Sequence, residues 1–169
     1  GSDDTGEGSD DTGTIEDVQV PPTPEAFNDL TLSARDDQTQ VFDVLASEWS
    51  FIDGEQGSSL MFQPNSFSST DGDPITGEVQ IQFIEIFDKG SMLVTDMPSI
   101  GQLPSGDVAQ LISGGEHYVG ATQDGETLTM NGSFELTAPA ENTGDVDWGM
   151  GLFRAEVSDG IPAELDDQA

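Results

Sequence analysis

The strongest constraint on the fold is a strand signal at residues 76–94, TGEVQIQFIEIFDKGSMLV. Val79, Ile81 and Phe83 alternate with polar residues, so that one face of the strand is apolar and the other is solvated. From Ile84 onward both faces become apolar. The pattern predicts a strand that is covered on one side at its start and on both sides at its end. Such a strand belongs in a sandwich whose outer face is partly covered by a loop or a terminal segment.

One residue of this strand breaks the pattern, because Glu85 is an acid between Phe83 and Phe87. A β-bulge near Glu85 would flip the register and keep one face buried. In a functional interpretation Glu85 is a ligand or an acid. In the structural interpretation a bulge accommodates it, Lys89 pairs with it, or backbone donors hydrogen-bond to it. This second interpretation is favoured, because acids within strands usually have such an explanation.

The rest of the chain is read as further short strands separated by turns. Strands are predicted at residues 40–46, 60–62, 92–95, 108–112, 116–123, 127–130 and 133–137, with a last element at 148–157. Asp124-Gly125 is a favoured hairpin turn, and residues 24–30 could form one short helical turn. Strands at this spacing, with little helical periodicity, predict an all-β fold, an immunoglobulin-like Greek-key antiparallel β-sandwich.

Composition divides the chain into three parts. Residues 1–24 carry an acidic repeat, SDDTG, at 2–6 and 9–13 and are predicted to form a disordered acidic tether. Residues 25–157 are predicted to form the β-sandwich domain. Residues 158–169 are predicted to be an acidic C-terminal tail.

The charge of the chain limits its partners. Of 169 residues 34 are Asp or Glu and 3 are Lys or Arg, which gives a net charge of −31. Repulsion excludes nucleic acid and disfavours anionic membrane surfaces, and it leaves cations and basic or neutral surfaces. Adaptation to a saline setting is the favoured explanation, because salt and divalent ions offset the self-repulsion.

Few residues could carry catalysis. The absence of cysteine excludes disulfides, thiolate metal sites and cysteine nucleophiles, and no apolar run approaches the roughly 18 residues of a membrane span. A Ser-His-Asp site would have to use His117, the single histidine, and no G-x-S-x-G motif supports one. His117 shares strand parity with Val119 and Ala121, which predicts a histidine satisfied within a sheet. We therefore expect a protein without enzymatic activity.

Calcium is the one cofactor that the sequence suggests. Acidic residues on predicted loops supply the hard oxygen ligands that Ca²⁺ takes. The candidate ligands are Asp71, Asp73, Glu141, Asp145 and Asp147. The competing interpretation, that these residues form turns and solvated charges, is favoured.

Aromatic side chains could instead mark a carbohydrate-binding platform. Trp49 and Trp148 both have apolar neighbours in the sequence, and this predicts that they belong to the core. An exposed aromatic row, or a cleft with a close pair of carboxylates, would favour carbohydrate-related activity over simple binding.

Several segments resemble a β-sandwich domain found in cell-surface lipoproteins of Bacteroidetes. They are SFIDGEQGSSLMFQPNSF at 50–67, DGDPITG at 71–77, DKGSM at 88–92 and LISGGEHYVGATQ at 111–123. The resemblance covers about residues 40–130, and the first half is also similar to the opening of ZU5-type domains. It transfers no catalytic residue. It implies an exported, lipid-anchored protein in which residues 2–24 would be the tether from an anchor cysteine.

These observations together predict a non-enzymatic, surface-exposed lipoprotein module for binding or adhesion. It is expected to be extracellular, at the cell surface as an outer-membrane lipoprotein, and monomeric. Its partner would be a protein or a glycan at the cell surface, with no nucleic acid and with membrane contact only through the lipid anchor. The alternatives are a carbohydrate-active accessory domain, a secreted hydrolase, or a structural spacer of a longer surface protein.

Overall fold

The computed structural model describes residues 21–95, 97, 100–111, 114–132, 134–143, 149–155 and 163–164. The helices in these ranges are α1 (Pro24–Gln38), α2 (Lys89–Val94) and α3 (Ala140–Thr143). The strands up to the middle of the chain are β1 (Gln40–Leu45), β2 (Ser50–Asp53), β3 (Ser59–Phe62), β4 (Phe67–Ser68), β5 (Glu78–Ile86), β6 (Ile100–Gln102) and β7 (Val108–Gln110). The later strands are β8 (Glu116–Gln123), β9 (Glu126–Thr127), β10 (Thr129–Met130), β11 (Glu135–Thr137), β12 (Phe153–Arg154) and β13 (Ala163–Glu164).

The described strands form sheets with the orders β1-β5-β8-β9, β11-β3-β2, β10-β4 and β12-β13-β6-β7. Pairing between the described strands is antiparallel except between β13 and β6. Buried side chains of β5 form a single core cluster with those of β2, β3 and β4. The predicted all-β sandwich is therefore confirmed as antiparallel sheets packed against each other. The immunoglobulin-like Greek-key connectivity stays a prediction.

β5 is the central strand, as its pattern predicts. Burial alternates from Glu78 to Gln82 and is then continuous from Phe83 to Ile86. The ladder between β5 and β8 is unbroken from Gln80 to Ile86, so the alternative of a β-bulge near Glu85 is wrong. The strand keeps its register, and its second face is covered by other elements.

The cover over the second face of β5 is α1. This helix contacts both α2 and β5. Its Arg35 guanidinium carbon lies 4.6 Å from the centre of the Tyr118 ring, and Tyr118 pairs directly with Ile84 across the sheet. The geometry is that of a cation–π contact, which adds to the apolar burial beneath the helix. A segment before the first strand thus covers the outer face, as the pattern of β5 predicts.

α1 extends well beyond the predicted helical turn at residues 24–30. The hydroxyl of Thr23 accepts a hydrogen bond from the backbone N–H of Ala26 at 3.2 Å, and Pro24 occupies the first turn. Both features favour a helix start, because the cap satisfies a free backbone donor and proline needs none there. The helix then continues to Gln38, and Thr31 in its middle is buried.

A second difference concerns residues 92–95, which were predicted to continue the strand. This prediction is wrong, because residues 89–94 form α2. The Asp88 carboxylate accepts hydrogen bonds from the backbone N–H groups of Gly90 at 2.8 Å and Ser91 at 3.0 Å. An aspartate that satisfies the free donors of a first turn stabilises a helix more than the apolar residues at 92–94 stabilise a strand.

The other predicted strands correspond to described ones. Residues 40–46, 108–112 and 133–137 contain β1, β7 and β11, with residues 112 and 133 outside the described ranges. Residues 60–62 are the last three residues of β3, which begins one residue earlier, at Ser59. The predicted hairpin is formed by β8 and β9. Its turn residues Asp124 and Gly125 have φ values of 53° and 85°, the left-handed pair that a tight two-residue hairpin turn requires.

The terminal predictions fall mostly outside the described residues. Residues 1–20, the main part of the predicted tether, are not described, and residues 163–164 of the predicted tail form β13. The predicted last element at 148–157 contains β12. Among the described helices, none has the length and hydropathy that crossing a membrane would need.

Candidate functional site

The first unusual feature is the buried carboxylate of Glu85, whose side chain is 1% exposed. Oε1 accepts a hydrogen bond from the backbone N–H of Ser58 at 2.8 Å. Oε2 accepts one from the backbone N–H of Gln56 at 2.8 Å and one from the side chain of Gln40 at 2.9 Å. The prediction that backbone donors satisfy Glu85 is confirmed, and none of its described hydrogen bonds comes from Lys89.

The two backbone donors, Gln56 and Ser58, lie in the turn between β2 and β3, which wraps around the carboxylate. The backbone N–H of Gly54 donates to the carbonyl of Ser58 at 2.7 Å and closes the turn. A Cβ atom on Gly54 would lie 2.5 Å from Oε2 of Glu85, so only glycine fits there. Glu85 therefore joins the two packed sheets, since it extends from β5 of one sheet to a turn of the other.

The hydrogen bonds determine the ionisation state of Glu85. Burial by itself would raise the pKa of this carboxyl group. The donors from Gln40, Gln56 and Ser58 outweigh burial and lower the pKa below its ordinary value. Glu85 is therefore an anion at neutral pH, held inside the sandwich by neutral donors.

His117 is paired with Glu85 across the β5–β8 ladder. Its Nε2 lies 2.9 Å from the hydroxyl oxygen of Ser58, and its ring stacks on Phe83 with centroids 5.9 Å apart. Phe87 meets the ring edge-on at 5.4 Å. Burial lowers the pKa of His117 and the charge of Glu85 only partly offsets this, so the ring is neutral at neutral pH. His117 is thus a strand histidine whose hydrogen-bonding and packing partners lie within the fold, as its strand parity predicts.

Ser58, His117 and Glu85 do not have the geometry of a nucleophilic triad. In such a triad the carboxylate accepts a hydrogen bond from the imidazole nitrogen opposite to the one that faces serine. Here Glu85 accepts from the backbone N–H of the serine itself, Ser58, at 2.8 Å. Ser58 is also 1% exposed, so its hydroxyl has no path to a substrate. What this arrangement does chemically is to fix a turn between two sheets.

We expect the stability of the protein to fall as the pH is lowered from 7.5 to 5.5, through His117. Its pKa is lowered from the ordinary value of 6.5, so the unfolded chain binds a proton that the folded chain rejects. The stabilisation is complete above pH 6.5 and is lost as the pH falls towards the folded pKa. Glu85 adds a loss of the same sign below its ordinary value of 4.5.

The measurement is urea unfolding at pH 5.5, 6.5 and 7.5 for the wild type and His117→Gln. Burial raises the pKa of Glu116, which contributes the opposite slope above 4.5. That slope and general charge repulsion are common to both proteins, so the difference between the two isolates His117. An identical pH dependence in the two proteins would contradict this assignment.

The calcium candidates do not come together in the described structure. Asp71 and Asp73 are exposed in a turn closed by Ser69, whose N–H donates to the carbonyl of Asp73 at 2.9 Å. Glu141 is exposed in the first turn of α3. Asp145 and Asp147 lie outside the described residues. Within the described ranges, no three or more His, Cys, Asp or Glu side chains are grouped to hold a metal. A calcium site stays a prediction.

We expect thermal stability to depend on salt in general rather than on calcium. With a net charge of −31, screening by molar NaCl should raise the melting temperature gradually, by several degrees. Millimolar CaCl₂ should raise it no more than millimolar MgCl₂ does. A steep, calcium-specific rise that is lost in the Asp71→Asn/Asp73→Asn variant would contradict this and establish a site.

The second unusual feature is an exposed apolar surface beside β2. Phe51 is 72% exposed although it lies within a strand, and Trp49 just before that strand is 53% exposed. The prediction that Trp49 belongs to the core is wrong, because Ile52, on the opposite face, is the residue that enters the core. Trp148 lies outside the described residues.

Cross-strand pairing extends this surface over the second sheet. Phe51 pairs with Met61, and Met61 pairs with Glu135. In the next row Asp53 pairs with Ser59, and Ser59 pairs with Thr137. The two rows line a shallow depression of about 230 Å³. We call the surface formed by Trp49, Phe51, Asp53, Met61 and Glu135 the β2 face.

A larger depression of about 420 Å³ lies on the outer face of the first sheet. Its lining is polar and acidic, with Asp43, Glu78 and Asp124 among glutamine and threonine side chains. It presents no exposed aromatic ring, and the β2 face is therefore the better candidate for recognition.

Comparison of the chain with protein-family models, with curated proteins and with solved structures found no match. The site must therefore be judged on its geometry. Sequence reasoning missed the β2 face because it assigned apolar residues to the core. The four residues SFID carry no signal that would have found it, because each parity holds one polar and one apolar residue.

Proposed function

We propose that the protein is a non-enzymatic binding module exposed at a cell surface and that the β2 face is its binding surface. The observation that carries the proposal is Phe51, a large apolar side chain 72% exposed in the middle of a strand. Trp49 beside it is a second exposed aromatic residue. Exposed apolar patches rimmed by polar groups are typical of interaction sites, and aromatic residues dominate their energetics.

The buried polar residues support a binding role over a catalytic one. Ser58 and His117, which resemble parts of a hydrolase site by residue type, are engaged in the network that satisfies Glu85. Their hydrogen bonds fix a turn inside the sandwich. This argues against the alternative of a secreted hydrolase that uses these residues.

A surface location is proposed from the sequence. The segments that resemble lipoprotein domains of Bacteroidetes include β2 and β3, and an acidic segment precedes α1. We propose an extracellular, lipid-anchored adhesion or binding protein at the outer membrane, working as a monomer. A net charge of −31 suits such a protein in saline surroundings, where counterions screen the repulsion.

One observation favours a second candidate function. Trp49 and Phe51 are both exposed and share strand parity, and flat aromatic surfaces can stack against sugar rings. Asp53 and Glu135 beside them could accept hydrogen bonds from sugar hydroxyl groups. A carbohydrate-active accessory domain is therefore the second candidate, and a structural spacer, which needs no exposed aromatic residue, is the third.

We expect Phe51→Ser to weaken ligand binding at least tenfold, a loss of about 1.4 kcal/mol, because it removes the most exposed aromatic anchor. The measurement is biolayer interferometry of the immobilised protein against a panel of extended peptides and oligosaccharides. The matched control is Leu93→Ser, which removes an apolar side chain that is 69% exposed on α2. The proposal fails if no ligand in the panel distinguishes Phe51→Ser from Leu93→Ser.

A further inference from the structure

The open edge of β2 is a second property of the β2 face, beyond its exposed side chains. In the described sheet β2 pairs only with β3. The hydrogen bond from Gly54 N–H to the Ser58 carbonyl fixes the register of this pair. Alternate residues of an antiparallel strand direct their backbone groups towards the partner. Ser50 and Ile52 therefore face β3, while Phe51 and Asp53 direct their N–H and C=O groups outward.

This edge carries only weak protection against strand pairing, namely its shortness and one charged residue, Asp53. Natural proteins block open edges with lysine, proline or a bulge. The β2 sequence SFID contains neither lysine nor proline, and its ladder with β3 is regular from Ser50 to Asp53. The strand is short, so an added strand would form about two to four backbone hydrogen bonds here. Side-chain contacts must supply the rest of the affinity.

The side chains along the edge specify what kind of strand would fit. Side chains of an added strand on the outer face would lie opposite Phe51 and Asp53. An apolar residue would contact Phe51, and a cation two positions along would lie against Asp53. Acidic residues in these places would meet like charges and be rejected.

The net charge of the whole chain excludes one obvious occupant of the β2 edge, a second copy of this protein. A second copy of this protein brings 34 acids and 3 bases, so pairing β2 with itself would join two strongly negative molecules. A glycan would use the aromatic rings but would not pair with the outward backbone groups as a strand does. The charge and the edge together favour a basic polypeptide.

We infer that β2 takes up an extended segment of a partner protein in which an apolar residue and a basic residue lie two positions apart, added as a strand antiparallel or parallel to β2. This inference rests on the proposed binding function of the β2 face and specifies its partner class. The backbone of Phe51 and Asp53 provides the hydrogen bonds, the Phe51 ring provides the apolar contact, and the Asp53 carboxylate provides the charge selection.

The test uses the full chain and synthetic peptides. The probe, called the valine–lysine peptide, is Thr-Val-Thr-Lys-Thr-Val-Thr-Lys, which places valine and lysine two positions apart on one face. Its controls are the same peptide with alternate backbone nitrogens methylated, a valine–glutamate peptide, and a neutral hexasaccharide. The valine–glutamate peptide has glutamate in place of lysine. Binding is measured by NMR titration together with amide hydrogen exchange at two salt concentrations. The matched protein variants are Phe51→Ser and Val41→Ser, the second altering an exposed residue of β1, an edge strand of the sheet that contains β5.

The inference predicts that the valine–lysine peptide binds and protects the amide protons of Phe51 and Asp53 at least tenfold from exchange. Backbone methylation and Phe51→Ser should each weaken binding at least tenfold, whereas Val41→Ser should leave it unchanged. Higher salt should weaken the binding, since Asp53 and the net charge of −31 attract the basic peptide.

Other outcomes overturn the inference in distinguishable ways. If the methylated and unmethylated peptides bind equally well, strand addition is wrong while the binding function stands. The same conclusion follows if the hexasaccharide binds instead of the peptides and its binding is lost in Phe51→Ser. Concentration-dependent dimerisation that protects the same amides would show a second copy to be the occupant. If no probe binds in a manner that depends on Phe51, both the inference and the proposed function fail.

Discussion

Glu85→Gln is expected to destabilise the protein by about 3 kcal/mol, because it leaves buried donors facing a group that also donates. The carboxylate accepts three hydrogen bonds, from Gln40, Gln56 and Ser58. An amide can accept at only one end, and its NH₂ group would face a backbone N–H at the other. The loss should appear as a lower urea midpoint with little change in the urea dependence.

The matched control for this variant is Glu78→Gln. Glu78 lies on the same strand, but its side chain is exposed. The control removes the same charge, so it corrects for the relief of repulsion in a chain with a net charge of −31. Its effect should stay within about 0.5 kcal/mol. Equal urea midpoints for the two variants would mean that the Glu85 network contributes nothing to stability.

Gly54→Ala should cost about 3 kcal/mol, near the upper end of what overpacking a core costs. The new methyl group would lie 2.5 Å from Oε2 of Glu85 and 2.7 Å from Cε1 of Phe83. Both side chains are buried at the interface of the sheets, so neither can move without breaking other contacts. Thermal unfolding monitored by circular dichroism measures the effect.

Gly132→Ala is the control for this second variant. A Cβ atom on Gly132 would meet the Ser66 hydroxyl oxygen at 3.5 Å, an ordinary contact distance. Neither Gly132 nor Gly54 has a positive φ angle, so the comparison isolates crowding from backbone conformation. If the two alanine variants have the same melting temperature, the close approach of Gly54 to Glu85 has no energetic consequence.

Both variants test whether the turn between β2 and β3 is built around a buried charge. Glu85→Gln removes the charge that the turn was built around, and Gly54→Ala fills the space that the charge needs. A buried anion without a cationic partner persists only if hydrogen bonds replace its hydration. In this protein backbone N–H groups provide that replacement, which agrees with the lowered pKa of Glu85.

The candidate binding surface was harder to predict than the core. Phe51 and Trp49 are apolar, and composition gives no means to distinguish an apolar residue in the core from one on the surface. The decision depends on which parity of β2 faces the other sheet. That is set by the pairing of Ile52 with Leu60 and by the turn that Glu85 holds.

The other differences between predicted and observed elements concern segments whose residues are compatible with both a helix and a strand. α2 contains Met92, Leu93 and Val94, which are equally compatible with a strand. The cap at Asp88 and the packing of α2 against α1 favour the helix over a strand. The length of α1 was underestimated because its large apolar residues, Phe27, Leu30 and Leu32, form no buried stripe and are exposed.

The sequence by itself determined the β class, the central role of β5, the change in its burial at Ile84 and the hairpin at Asp124-Gly125. These features depend on side-chain alternation and on turn residues that act over a few positions. Only the tertiary structure decided what satisfies Glu85, what covers the second face of β5 and which aromatic residues stay exposed. Each of these depends on contacts between residues far apart in the chain, such as Gln40 with Glu85 and Ser58 with His117, and local pattern carries no information about such contacts.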